Sequence, residues 1–336
     1  GSANVVPVSV STVTPVYRGA EHLESLVERL AEVRAAYSEG DAPIEFIESV
    51  FVDDGSTDNT WDVVQAYADN PQVRLMQKEN EGSKFAALNF ALGHIDSELV
   101  GVLDADSWVS ATALKEYMYF FADPEVMATI PSMVVGRPDS FLRHAQKAEY
   151  DIGLFARKAF AQINSIYITP GPFSVFRKYV FDTLGPYQEA HHTEDAEIAL
   201  RMQKHHYKIA YSEKSVVYTV GPRTLGPLLR QRVRWVYGFL RNMFDYKGLL
   251  FKKEYRSLGM VVLPLGIFRV FITVVLFPLS IWLMFLPLWR WVQKISVTGF
   301  NPRFSLGIDW FFVNFTQLQL FTIIGIVFSL MTIFMG

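Results

Sequence analysis

"IEFIESVFVDDGSTDNT", residues 44 to 60, decides how the chain folds. Its first nine residues are rich in Ile, Phe and Val, the make-up of a buried strand. They run straight into two acids and then into a turn of Gly, Ser, Thr, Asp and Asn, after which residues 60 to 68 read as a helix. A strand that passes through a short polar turn into a helix is the repeating unit of a parallel sheet wrapped by helices. The same polar residues would cap a helix N-terminus, so the acids at 53 and 54 also admit a purely structural reading.

The unit recurs on both sides. "VSVSTVTPV" (8 to 16) reads as a strand and 21 to 36 as an amphipathic helix; "QVRLM" (72 to 76) is a strand, 83 to 94 a helix, and "ELVGVL" (98 to 103) another strand. Residues 5 to 220 are therefore expected to form one α/β domain with a mostly parallel, Rossmann-like sheet. In such sheets ligands bind beyond the carboxyl ends of the strands, where the acidic clusters fall.

Of the 336 residues 50% are hydrophobic and 19% charged, an apolar balance for a globular protein. Residues 270 to 289, "VFITVVLFPLSIWLMFLPLW", carry no charge and reach about 30 Å as a helix, so a membrane span is expected there. A second is expected over 310 to 335. The stretch 257 to 268 is too short to span and is followed by Arg269, so it reads as an interfacial or re-entrant piece. Two further helices, 141 to 163 and 237 to 251, alternate apolar residues with Lys and Arg, the pattern of helices in the headgroup layer. The first suits the domain core equally well. Nine Lys and Arg between 223 and 256, against Arg290, Lys294 and Arg303 between the two spans, place the large domain on the cytoplasmic side, most naturally of the plasma membrane.

The net charge of −3 gives no basic field for nucleic acid. With no cysteine, disulfides and thiolate chemistry are excluded, and any metal must be held by carboxylates or histidine. The opening residues lack the basic and apolar regions of a signal peptide, and Gly1-Ser2-Ala3 resembles a tag remnant.

Four clusters carry possible chemistry. Asp54 at its strand end could accept hydrogen bonds from a base or ribose. In "GVLDADSW" (101 to 108), Asp104 and Asp106 could share one divalent cation, and hard oxygen ligands select Mg²⁺ or Mn²⁺. In "HHTEDAEIALRMQK" (191 to 204), Thr193 reads as a helix cap and the acids as partners of the helix dipole, or else as a general base facing a cleft. His191 and His192 are possible ligands there. In "LLRQRVRWVYGFLR" (228 to 241), Gln231, Arg234, Trp235 and Gly238 share one helix face while Arg232 points elsewhere. That arginine face could clamp a diphosphate; a membrane collar is the alternative.

In this order the clusters resemble the membrane-integrated family 2 glycosyltransferases with a GT-A fold, the group of cellulose, chitin and hyaluronan synthases. The match rests on Asp53-Asp54, Asp104-x-Asp106, Thr193-Glu194-Asp195 and Gln231-x-x-Arg234-Trp235. "TPVYR" (14 to 18) is similar to the family's first-strand turn at the nucleobase, with Arg18-Gly19 where the usual residues are Asn-Glu. "NEGSKFAALN" (80 to 89) is similar to its Asn-x-Gly-Lys segment, with one extra residue before Lys84, and "TPGPFSVFRK" (169 to 178) to its acceptor-entrance loop.

The resemblance implies a GT-A catalytic domain, then interfacial helices over 221 to 268, then transmembrane helices over 269 to 336. It implies that Thr14, Pro15, Tyr17, Asp54, Lys84, Asp104, Gln231, Arg234 and Trp235 bind a nucleotide sugar, most naturally a UDP-sugar. Asp104 and Asp106 would hold Mg²⁺ or Mn²⁺; Asp195, beside Glu194, would be the base; Gly171, Pro172 and Trp235 would meet the acceptor. The expected reaction is an inverting, metal-dependent hexosyl or N-acetylhexosaminyl transfer that extends a β-linked polysaccharide at the membrane, by an oligomer or with partner subunits. Two alternatives differ in acceptor or in chemistry: transfer to a membrane lipid, and a non-catalytic nucleotide-sugar scaffold.

Overall fold

The computed structural model describes residues 8–38 and 44–298. The expected span at 310 to 335 lies outside the described residues. Strands and helices alternate as β1 (Val8–Val16), α1 (Ala20–Ser38), β2 (Ile44–Asp54), α2 (Thr60–Gln65), β3 (Val73–Lys78), α3 (Lys84–Leu92) and β4 (Leu99–Val102). There follow β5 (Trp108–Val109), α4 (Ala113–Phe121), β6 (Val126–Val135), α5 (Phe141–Gln162), β7 (Ser174–Arg177), α6 (Tyr179–Leu184), α7 (Glu194–Lys204), β8 (Lys208–Thr219) and α8 (Leu225–Asp245). The apolar end of the chain forms α9 (Leu263–Phe271) and α10 (Phe277–Thr298).

One eight-stranded sheet has the order β3-β2-β1-β4-β7-β6-β8-β5. Its first four strands pair in parallel, as the βα alternation predicts. Beyond β4 the sheet is mixed, because β7 runs antiparallel to both β4 and β6 while β6 and β8 pair in parallel. The reversal at β4 and β7 makes the crevice: Asp104 follows β4, and the 169–173 loop that leads into β7 returns beside it. One face of the sheet is covered by α1 and α4, through Leu23, Leu26, Leu30, Leu114 and Tyr117. The other is covered by α3, α5, α7 and α8, through Leu88, Phe160, Leu200 and Phe239.

Two sequence expectations need correcting. The helix expected over 237 to 251 begins much earlier, at Leu225, and ends at Asp245. More importantly, 257 to 268 is no separate re-entrant piece. Helical structure runs unbroken from Leu258 through α9 and α10, because Arg269 alone cannot interrupt a backbone whose hydrogen bonds are all internal. The short segments 258–262 and 272–276 are π-helical, and each comes just before a proline, Pro264 and Pro278. Proline lacks an N–H and its ring crowds the carbonyl four residues back; a turn widened to i→i+5 spacing relieves both. Among the described residues one helical stretch, Leu258–Leu276, is long and apolar enough to cross a membrane. It begins twelve residues before the span read at 270 to 289 and overlaps it over 270–276; that reading falls across α9 and α10.

Candidate active site

The two acids that end β2 do different work. Asp53 holds the turn, accepting from the Ser56 N–H at 3.0 Å and from the Gln77 amide at 3.1 Å. Asp54 lines a cavity of about 460 Å³ together with Pro15, Val16, Tyr17, Asn80, Gly82, Ser83, Lys84 and Asp104. Lys78 donates to the Asp54 carboxylate at 3.0 Å and pairs with Glu81 at 2.9 Å. Lys78 was not singled out in the sequence, although it is the in-register partner of Asp54 on β3; aligning the ends of adjacent strands was the signal that could have found it. Thr14 is off the cavity: it is buried, and its hydroxyl is sealed and unpartnered.

Lys84 opens α3 and ties the cavity beside Asp54 to the other acids. It is bonded to the Asp104 carboxylate and stands 3.8 Å from Glu194. Burial alone would lower its pKa, but Asp104, Glu194 and Asp195 outweigh burial and hold the ammonium well above its ordinary range. Gly171 closes over this pair. A Cβ there would sit 2.7 Å from the Lys84 ammonium and 2.9 Å from the Asp104 carboxylate, so any larger residue would push the ends of these two side chains aside. Pro172 is buried and lines neither this cavity nor the narrower pocket beside it. That second pocket, which shares Lys84, is lined by Gly171, Tyr187, Glu194 and Asp195.

Asp195 stands in the first turn of α7. Burial, and then the neighbouring Glu194 carboxylate, push its pKa up to about 7, against the opposing pull of Lys84 and of the Ala196 N–H. Burial and then Asp104 likewise raise Asp106, whose carboxylate accepts from the Ser107 hydroxyl at 3.1 Å. Two crowded carboxylates are a donor set that a hard divalent cation would stabilise. No cluster of three His, Asp or Glu suited to a metal occurs among the described residues, so these two carboxylates would leave part of a cation's shell to other oxygen ligands.

Thr193 does not cap α7 through its side chain. Its hydroxyl donates to the Ala190 carbonyl at 2.9 Å and accepts from Asn242 of α8 at 3.0 Å. Gly238 lies directly against it, where a Cβ would come within 2.3 Å of Oγ1 and Cγ2. This contact is what docks α8 onto the start of α7. The next turns of α8 then reach the same loop: Arg234 donates to the His192 carbonyl at 3.3 Å, and Arg241 approaches His191 at 3.5 Å. His191 and His192 both hold positive φ, 53° and 62°, a costly conformation for two consecutive non-glycine residues directly before Thr193.

Arg232 does not point away from Trp235. Three residues apart, the two are neighbours on the helix surface; the guanidinium lies 4.6 Å from the ring centre and pairs with Glu149 of α5 at 2.7 Å. Gln231 is partly buried on the same helix. The outward side of α8 is instead apolar: Leu225, Leu229, Val233, Tyr237, Leu240 and Phe244 are all exposed along one stripe.

Residues 11–185 match the model of glycosyl transferase family 2, and residues 99–331 that of glycosyl transferase family group 2. The poly-beta-1,6-N-acetyl-D-glucosamine synthase of Staphylococcus epidermidis is 27% identical over 227 residues, covering 63% of this chain and 55% of that protein. Its counterpart in Staphylococcus aureus strain COL is 28% identical over 206 residues, covering 59% and 50%. The chain thus spans about half the length of these relatives. Among solved structures, the mannosyltransferase PcManGT of Pyrobaculum calidifontis in complex with GDP-Man and Mn²⁺ superposes with a TM-score of 0.63 at 18% identity, covering 98% of this chain and 85% of that one. S. aureus TarS 1-349 with UDP-GlcNAc gives 0.52 at 16%, covering 79% and 73%. Two family models that between them run from the first strand into the apolar C-terminal segment, over a sheet shared with solved glycosyltransferases, place the chain in glycosyl transferase family 2.

Proposed function

We propose that the protein is an inverting glycosyltransferase that takes a sugar from a nucleotide sugar, a UDP-sugar in the first instance, and extends a β-linked polysaccharide at a membrane surface. The observation that carries this reading is Asp195, a carboxyl with a pKa near 7, in a pocket that shares Lys84 with the larger cavity. A base poised near neutral pH is what removal of a proton from an acceptor hydroxyl requires.

The nucleotide lies in the larger cavity, its base and ribose between Tyr17 and Asp54. The diphosphate meets the Lys84 ammonium and Arg234. Asp104 and Asp106 would hold Mg²⁺ or Mn²⁺, which supplies positive charge to the leaving diphosphate when bound. Asp195 accepts the proton of the incoming hydroxyl as that oxygen attacks the anomeric carbon and the bond to the diphosphate breaks; a single displacement inverts the configuration. Glu194, at 3.8 Å from Lys84, helps to hold the ammonium between donor and base. Gly171 and Trp235 border the acceptor. Support for the donor class comes from the named ligands of the solved neighbours, UDP-GlcNAc in TarS and GDP-Man in PcManGT, and support for the product class from the polysaccharide synthases.

The apolar stripe of α8 and the Leu258–Leu276 helix favour a membrane surface as the place of transfer, with the catalytic domain on the cytoplasmic side. They also keep a second reading in play, in which the acceptor is a membrane lipid. The test is nucleoside-diphosphate release across UDP- and GDP-sugars, with and without lipid extract, followed by sizing of the labelled product. Release from none of the donors would sink the transferase reading, and a product of one sugar on lipid would replace the polymer reading.

A further inference from the structure

Lys78 ends β3 and spends its whole donor capacity at the rim of the larger cavity. Its ammonium donates to the Asp54 carboxylate at 3.0 Å, to the Glu79 carbonyl at 2.6 Å and to the Glu81 carboxylate at 2.9 Å. A lysine has three N–H groups and no acceptor, so nothing is left over for a ligand. The side chains of Lys78 and Asp54 are each only 8% exposed.

Stability does not account for this pair. Elsewhere the pairs Lys208–Asp123, Lys158–Glu213 and Lys147–Asp151 lie in the open, with every side chain at least 40% exposed. β3 is an edge strand of the sheet, where a lysine can ordinarily reach water. Taking both charges out of water costs much of what their attraction returns.

What the pair fixes is geometry. One cation ties the acid at the end of β2 to the loop that follows β3, and Asn80, Gly82 and Ser83 of that loop line the same cavity as Asp54. The loop is also pressed against the turn after Asp54. Gly55 there holds a φ of 65°, and a Cβ on it would come within 2.7 Å of the Asn80 backbone nitrogen.

The pair also decides how many oxygens Asp54 can offer. Oδ1 is taken by Lys78; Oδ2 has no partner among the described residues and is not sealed from solvent, so it opens to the cavity that Asp54 lines. A free carboxylate can accept two parallel N–H bonds. Guanine offers such a pair, from N1 and N2 on one edge, whereas uracil offers a single N–H, at N3, between two carbonyls. A carboxylate held with one oxygen occupied therefore suits uracil.

We infer that Lys78 is a positioning residue that sets the choice of nucleobase, favouring uracil over guanine by holding Asp54 as a one-oxygen acceptor. The inference rests on the reading of the larger cavity as the nucleotide site.

The test is calorimetric titration of the full chain with UDP and with GDP in the presence of Mg²⁺, for the unmodified protein, Lys78→Met, Asp54→Asn and the double variant. The two nucleotides share ribose and diphosphate, so the ratio of their affinities isolates the base. A loop merely loosened by the substitution weakens both alike and leaves the ratio where it was. The unmodified chain should bind UDP about tenfold or more tightly than GDP, and the ratio should fall about tenfold in Lys78→Met, the scale of one charge-assisted hydrogen bond. In the Asp54→Asn background Lys78→Met should not move the ratio further, because the lysine acts through that carboxylate. A ratio unmoved by Lys78→Met, the same fall with and without Asp54, or a preference for GDP in the unmodified chain overturns the inference and leaves the nucleotide site standing. Binding of neither nucleotide to the unmodified chain overturns both. Should Lys78→Met fail to fold, Lys78→Gln removes the cation and keeps a polar side chain, and an unmoved ratio there is equally fatal.

Discussion

Replacing Asp195 by asparagine should stabilise the ligand-free protein while abolishing its turnover, and the two effects have one cause. The carboxyl titrates near 7 in the folded chain, against an ordinary value of 3.8. Between those limits the folded protein holds a proton that the unfolded chain has released. Stability is therefore greatest in acid and declines as pH rises through this window, until above pH 7 the whole penalty of the buried charge is in place. At about 1.4 kcal/mol per pH unit the penalty is on the order of 4 kcal/mol. Solvent reaching the partly exposed group screens this to roughly 1–3 kcal/mol. A neutral amide carries no such charge, so at pH 8 without substrate Asp195→Asn should melt about 2–6 °C above the unmodified chain, and the gap should shrink steadily toward pH 5. Transfer should fall by a factor of about 10² to 10⁴, with nucleotide affinity nearly unchanged. A melting difference independent of pH would refute the buried-charge argument; retained turnover would refute the role as base.

Four further outcomes are expected. The rate constant kcat/KM should fall about tenfold per pH unit below about pH 7 as Asp195 takes up its proton, and a flat profile from pH 5 to 8 would contradict this. Lys84→Met should weaken nucleoside-diphosphate binding about 10- to 100-fold by calorimetry, the scale of a lost charge-assisted hydrogen bond. Gly238→Ala, whose Cβ would collide with Thr193 at 2.3 Å, should cost roughly 1–3 kcal/mol of stability and lower kcat; Gly248→Ala, with nothing within 4 Å, should change neither. Chelation of divalent cations should stop transfer, and Mg²⁺ or Mn²⁺ should restore it; turnover that survives chelation would remove Asp104 and Asp106 from that role.

The parallel half of the sheet was legible because its strands are short stretches rich in Val, Ile, Leu and Phe with helical periods between them, a signal that needs no long-range information. The antiparallel strand β7 was not, since "SVFR" is four residues long and its direction depends on which neighbours it meets. The apolar tail misled for a related reason. Composition marked Arg269 as a break, whereas continuity of the helix is decided by backbone hydrogen bonds, and the local adjustments come at Pro264 and Pro278 instead.

The active-site clusters were legible as residue types at strand and helix ends, but their division of labour was not. Nothing in "VDD" says that Asp53 serves the turn and Asp54 the cavity; that follows from the register placing Gln77 and Lys78 opposite them. Helix α8 shows the same limit most clearly. Its periodicity put Gln231, Arg234, Trp235 and Gly238 on one face, and read this glycine only as a member of that face. In the structure Gly238 is the contact that matters mechanically, because its missing side chain lets α8 close on Thr193, one residue before Glu194 and two before Asp195. Asp195, Arg234 and Trp235 thus share one helix contact, in which Gly238 makes the closest approach and Asn242 adds a hydrogen bond to Thr193. A side chain added there would separate them together, which is why loss of catalysis in Gly238→Ala should exceed what its loss of stability alone would produce at temperatures well below melting.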